Sequence, residues 1–155
     1  MYTMTAQIIG AKELAEAFRR APEMVKKELY NAVYDGMRDL QNTARNTAPH
    51  KTGRLQASID SEGPRVSGDN VTATVGTNVE YARVQELGCG PFIIVPVRRK
   101  VLADKKRGII FGKIVHHPGI KAKLYFKKSI EETRPRFTDF MQKALTRIVT
   151  YLAEK

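Results

Sequence analysis

Three histidines, His50, His116 and His117, and a single cysteine, Cys89, are the residues of this 155-residue chain best suited to hold a metal or to act as nucleophile and base. Their spacing argues against both roles. A zinc site needs ligands that share a face, as CxxC or HxxxH pairs supply, and neither pattern occurs. Adjacent His116 and His117 point to opposite faces if the chain is extended. Cys89 lies between Gly88 and Gly90, with no base nearby in sequence and no GxSxG context, and reads as a turn cysteine. Glu131 and Glu132 precede Arg134 and Arg136 and read as a solvated face or inter-subunit ion pairs rather than an acid–base pair. Neither GxGxxG nor GxxxxGK[ST] is present, so no phosphate loop is expected. The stretch His50-Lys51-Thr52-Gly53-Arg54 offers cations around a backbone turn that suits an anion, although a tight turn before a strand is the simpler account. The expectation is a chain with no catalytic residue, no cofactor and no metal.

Charge is the stronger signal. The formal net charge is +11, from 27 Lys or Arg and 16 Asp or Glu. Residues 98–128 hold eleven of the cations and one acid, Asp104, so this stretch carries +10 and the rest of the chain +1. Six cations, Arg98, Arg99, Lys100, Lys105, Lys106 and Arg107, fall within ten residues. Their mutual repulsion favours an extended loop on a free chain. Nearby DNA or an acidic protein surface would attract them, with counterion release as a further gain on DNA. A solvated hairpin accommodates them equally. No aromatic residue interleaves with these cations, so base stacking of the single-strand-binding kind is not indicated.

The elements that must position these residues follow from periodicity. Residues 5–9 are compatible with a strand or extended arm, and residues 11–20 with a short helix. From Glu23 to about Asn46, Val25, Leu29, Val33, Met37, Leu40 and Ala44 recur every three or four positions, which predicts one long amphipathic helix. Pro49 and Gly53 end that period. Leu55, Ala57 and Ile59, then Val71, Ala73 and Val75, alternate with polar residues and predict an antiparallel pair with one buried face. Residues 79–87 lean towards a short helix. Residues 92–97 and 109–115 predict two further strands joined by the basic stretch 98–107. From Tyr125 onward Phe137, Phe140, Met141, Ala144, Leu145, Ile148 and Leu152 predict a second long helix, kinked or broken at Pro135. The class is therefore α+β, an antiparallel sheet of about four strands against long N-terminal and C-terminal helices, with an extended basic hairpin.

At this length one core is expected, hence a single domain over residues 1–155. With 42% hydrophobic and 28% charged residues the composition is that of a folded globular protein. No apolar run approaches the roughly 20 residues of a membrane span. Residues 1–10 do not read as a secretory signal, and a lone cysteine fits a reducing compartment, so synthesis in a cytoplasm is expected.

The residues Ala48-Pro49-His50-Lys51-Thr52-Gly53-Arg54-Leu55-Gln56-Ala57-Ser58-Ile59 resemble the AP-x-x-TG-x-L-x-x-SI signature of the minor tail, neck and tail-completion proteins of lambdoid and related long-tailed bacteriophages. Val75-Gly76-Thr77, Tyr81-Ala82 and Glu86-Leu87-Gly88 resemble that family's vG…YA…vEfG stretch, and His117-Pro118-Gly119 with Lys121 its HPG-x-K element. The elements occur in the family's order. Cys89-Gly90 replaces a commoner threonine, and the basic hairpin is unusual. The resemblance implies a non-enzymatic virion component at the head–tail junction, made in the host cytoplasm and forming a ring of six copies. Its implied partners are further copies of itself, head-completion or connector proteins, tail-tube or tail-terminator proteins, and genomic DNA in the lumen. The motif residues then have mechanical roles. Pro49 and Gly53 set the helix-to-strand turn; Thr52 and Ser58 bond backbone or neighbouring side chains; Tyr81 packs while its hydroxyl finds a partner; Pro118 and Gly119 reverse the chain into the last helix; Leu55, Ala82, Glu86, Gly88 and His117 complete the motifs. The six hairpin cations are the candidate contact to DNA or partner. A free basic nucleic-acid-binding protein is the competing expectation.

Overall fold

The computed structural model of the chain describes residues 23–67, 70–97, 101–104 and 106–153. The strand and helix expected before residue 22, and Arg98, Arg99, Lys100 and Lys105, lie outside the described residues. The elements are α1 (Glu23–Thr47), α2 (Arg54–Ser58), β1 (Ile59–Ser67), β2 (Asn70–Thr77), α3 (Ala82–Leu87), β3 (Phe92–Ile94), β4 (Leu102–Asp104), β5 (Ile109–Gly112), β6 (Val115–His117) and α4 (Tyr125–Ala153). The chain divides into two compact units, residues 83–124 forming one and the sequence on either side forming the other. The α+β class and the two long helices are as the periodicity predicts.

In the first unit α1 and α4 run antiparallel, because Arg136 Nε donates to Asp39 Oδ2 at 2.7 Å while Arg147 Nη1 donates to Glu28 Oε2 at 3.1 Å, far along both helices. Arg136 Nη2 also donates to Thr43 Oγ1 at 3.0 Å. The hydrogen bond to Asp39, with the nearby Asp39 and Glu132 charges, raises the pKa of Arg136 further against a smaller effect of burial, so this guanidinium stays charged. Gly36 lets the helices approach: a Cβ there would run into the Phe137 ring. The stripe on α1 packs as expected, with Val25, Val33, Met37 and Ala44 buried. That of α4 differs. Leu145, expected inside, is 48% exposed, while Ser129 and Thr133 are buried and bond back to the carbonyls of Tyr125 and Ser129 at 2.7 and 2.8 Å. The helix also runs through Pro135 without a break. Pro135 and Glu131 both face solvent, so water can take up the carbonyl that the proline leaves without a donor.

The hairpin β1–β2 is antiparallel from Ile59↔Thr77 to Ser67↔Asn70, with a register shift between Glu62 and Arg65 at Gly63-Pro64, where proline has no N–H to give. Val75 is buried, as alternation predicts. The strand expected to begin at Leu55 is instead one helical turn. Leu55 and Ile59, four apart, are both buried, but Ala57 between them is exposed, and Ala57 N–H donates to Gly53 C=O at 2.9 Å. Gln41 ties this hairpin to α1. It is 1% exposed, donates to Ile59 C=O and Asp60 Oδ1 at 3.4 and 3.0 Å, and accepts from Arg38 Nη1 and Ser61 Oγ at 3.3 and 3.0 Å. Both amide donors and both carbonyl lone pairs are thereby used. Arg45 Nε adds a second bond to Ile59 C=O at 2.8 Å.

The strands do not form one sheet of about four; the described strands form three two-stranded antiparallel ladders, β1–β2, β3–β6 and β4–β5. Prolines limit β3–β6. Pro91 and Pro96 bracket β3 and Pro118 follows β6, each without a donor for a further ladder bond. The single strand expected over 109–115 is split after Gly112, whose φ of 102° turns the backbone out of the extended region.

Replacing Gln41 by alanine should lower the unfolding free energy by about 1–3 kcal/mol, because it opens a small void and strips partners from polar groups at the helix–hairpin seam. Lys27→Ala on the exposed side of α1 should stay within about 0.5 kcal/mol of the parent. Urea denaturation followed by circular dichroism reads both.

Candidate functional site

The turn Ala48-Pro49-His50-Lys51-Thr52-Gly53 leaves α1 through Ala48, whose N–H still bonds Ala44 C=O at 3.0 Å and whose side chain is buried. Pro49 is partly covered, whereas His50, Lys51 and Thr52 are exposed, and Gly53 (φ 75°) caps α2. Leu55 then drops into the core beside Ile59. Ser58 is the hinge to the next element. Its Oγ lies 2.7 Å from both Leu55 C=O and Thr77 Oγ1, and Thr77 Oγ1 in turn accepts from Val79 N–H at 3.2 Å. With Ser58 donating to the carbonyl, the protons run in one direction from Val79 through Thr77 and Ser58 to Leu55. Thus Ser58 of the first motif and Thr77 of the second are brought together. Ala82 closes this region at 2% exposure, while Tyr81 is 39% exposed.

The remaining motif residues meet in the second unit. Gly88 (φ 74°) ends α3 with its N–H on Val84 C=O at 2.9 Å. A Cβ on Gly88 would stand 2.5 Å from Ile120 C=O and 2.7 Å from Ala122 N, so only glycine permits this approach of two backbones. Around it Cys89 and Ile120 exchange both backbone hydrogen bonds at 2.9 Å, Lys123 N–H donates to Gln85 C=O at 2.9 Å and Leu124 N–H to Glu86 C=O at 3.1 Å. Glu86 is buried. The end of the vG…YA…vEfG stretch is therefore zipped to the residues that follow HPG. His117 stacks on Phe92 with ring centroids 4.6 Å apart and accepts from Gly119 N–H through Nδ1 at 3.1 Å; Pro118 is exposed.

Beyond this zipper the second unit changes character. Lys106 and Arg107 are exposed in the turn between β4 and β5, and Lys113, Lys121 and Lys123 are exposed elsewhere in the unit. Between and beside them Ile109, Ile110 and Phe111 are exposed in succession, as are Ile93, Val95, Val97 and Ile114. Charge counting found the cations. The apolar exposure was missed, because successive apolar strand residues ordinarily signal a strand covered on both faces.

Among the described residues no three His, Cys, Asp or Glu side chains converge to hold a metal ion. His116 is exposed and His117 partly covered, on opposite sides of β6. In the first unit a half-open apolar groove of about 310 Å³ lies between α1, β2 and α4, lined by Val33, Met37, Ala73, Phe126, Ile130 and Phe137 among others. The described residues thus present an apolar groove in the first unit, and exposed apolar strands and cations in the second.

Residues 12–88 match the family model described as "HK97-gp10_like: Bacteriophage HK97-gp10, putative tail-component". The match spans α1 to Gly88 and so takes in the first three motif elements, while His117-Pro118-Gly119 lies beyond it. No curated protein and no solved structure is significantly similar to the chain.

Gly88→Ala should destabilise the protein by about 2–4 kcal/mol, since it adds the cost of a left-handed alanine to a clash with backbone. Amide hydrogen exchange should show the loss first at Cys89, Ile120, Lys123 and Leu124. Protection at these amides equal to the parent's would contradict the zipper.

Proposed function

We propose that this chain, which over residues 12–88 belongs to the bacteriophage HK97-gp10-like tail-component family, is a structural virion protein that forms a ring at the head–tail junction and completes the tail for joining to the head. The family match carries the reading as far as a structural component of a phage tail. The finer placement is supported by the order of the four motif elements, which is that of neck and tail-completion proteins, and by a fold that offers different surfaces at its helices and at its hairpins. Contacts between unlike surfaces propagate head to tail and close a ring when the rotation allows, here a ring of six. The partners on either side are head-completion or connector proteins and tail-tube or tail-terminator proteins. No helix among the described residues is long and apolar enough to cross a membrane.

The second reading, a basic nucleic-acid-binding protein of phage or prophage, draws on one observation, the +10 carried by residues 98–128. It calls for soluble binding to duplex DNA with steep salt dependence and without incorporation into particles.

Replacing Arg98, Arg99, Lys100, Lys105, Lys106 and Arg107 together by serine should leave the circular dichroism spectrum and unfolding midpoint close to the parent's but block head–tail joining or DNA retention, read as loss of infectious particles. Normal particle yields would remove the hairpin from the joining step. Electron microscopy of isolated necks should show the chain as a ring density.

A further inference from the structure

The second unit has exposed apolar strands without a core beneath them. Every buried apolar side chain among the described residues lies in the first unit. In the second, Ile93, Val95, Val97, Ile110, Phe111 and Ile114 are all more than half exposed, with Val97 at 93% and Ile110 at 72%. Side chains alternate across a strand, so Ile109 and Ile110, successive in β5 and in register with Asp104 and Ala103, leave both faces of the β4–β5 ladder open, and Phe111 stands exposed at the register shift that follows. Among the described residues the ladder has two strands, so each has one edge on which a further strand could pair. A two-stranded hairpin is marginal in water until a third strand or a packed surface covers it. DNA would satisfy the neighbouring cations but not this surface, because phosphate contacts are made by charge and hydrogen bonds. Exposed apolar side chains in succession, bordered by cations, suit a protein contact.

The charge of the unit selects among proteins. Residues 83–124 contain ten Lys or Arg and two acids, Glu86 and Asp104, a net of +8 out of the chain's +11. Glu86 is buried, and Lys106, Arg107, Lys113, Lys121 and Lys123 are exposed. The rest of the chain is itself net positive, at +3. A second copy is therefore net positive in both parts and is repelled overall, whereas an acidic partner is attracted.

We propose that the β4–β5 ladder and its neighbours dock on an acidic protein surface with an apolar centre, the partner covering the open faces or adding a strand at a free edge. This rests on the tail-component reading and names the class of partner: a different, acidic virion protein, neither DNA nor another copy.

The test uses the full-length chain and particles from the encoding phage with its gene for this chain deleted, purified as separate tails and DNA-filled heads. Two variants separate the surfaces. Ile110→Thr with Phe111→Thr removes apolar area, keeps the charge and suits a strand; Lys106→Gln, Arg107→Gln and Lys113→Gln together do the reverse. Both should unfold at the parent's urea midpoint, and both should reduce capture on heads or tails by about tenfold or more. The threonine variant should keep the parent's affinity for a labelled DNA duplex. Parent-level capture by the threonine variant, with capture and duplex binding lost together in the glutamine variant, would assign the surface to DNA and overturn the proposal. Loss of self-association in the threonine variant, with capture unchanged, would overturn it in favour of a second copy. If the unaltered chain neither binds the particles nor restores infectivity, the tail-component reading itself falls and takes the proposal with it; failure of the proposal alone leaves the unaltered chain active.

Discussion

Every buried apolar side chain among the described residues belongs to the body that α1, α4 and the β1–β2 hairpin build. Other features of the fold follow from that concentration. With Gly36 giving way to Phe137, the two long helices close on each other, and Arg136 and Arg147 hold their antiparallel register with charged hydrogen bonds. The hairpin then has one place to lie, against the side of α1 that carries Gln41, and Leu55 and Ile59 fill the seam. The second unit does not repeat this, because its apolar side chains stay exposed or half-covered. Residues 83–124 hold together through backbone hydrogen bonds and a glycine contact, with Glu86 their one fully covered side chain among the described residues.

The division explains which elements were legible beforehand. The apolar stripe of α1 is long and regular, and the end of that helix at Thr47 fell within a residue of where it was expected. Alternation identified β2 but misled at Leu55, because residues four apart also share a face of a helical turn, and only the exposure of Ala57 separates the cases. The α4 stripe was misjudged by hydrophobicity alone: Ser129 and Thr133 are buried because each hydroxyl bonds to a carbonyl of the preceding turn. The number of strands in one sheet was overestimated in part because prolines at 91, 96 and 118 limit the β3–β6 ladder to three residues a side, a constraint on pairing that alternation does not register.

The motif residues were identifiable one at a time, but their pairing was not. That Ser58 meets Thr77, and that Gly88 meets the backbone at Ile120 and Ala122, depends on chain reversal over 19 and about 32 positions, for which a single sequence carries no signal. Gln41 had no signal beyond its place one turn after Met37 on the buried side of α1. The exposure of the Ile and Val side chains of the second unit was not legible, because the chemistry of a strand residue does not say whether its cover comes from the same chain.

The run Ile109-Ile110-Phe111 has a further consequence for a chain made in many copies. Apolar, β-forming and proline-free segments at open edges are the ones through which identical molecules stack into fibrils. Here Lys106 and Arg107 precede the run and Lys113 follows it, so two copies brought edge to edge would set like charges against each other. Charges so placed act as gatekeepers, holding copies apart while the apolar run would stay open to the proposed acidic partner. Solubility before assembly and adhesion during it are then two outcomes of one charge pattern.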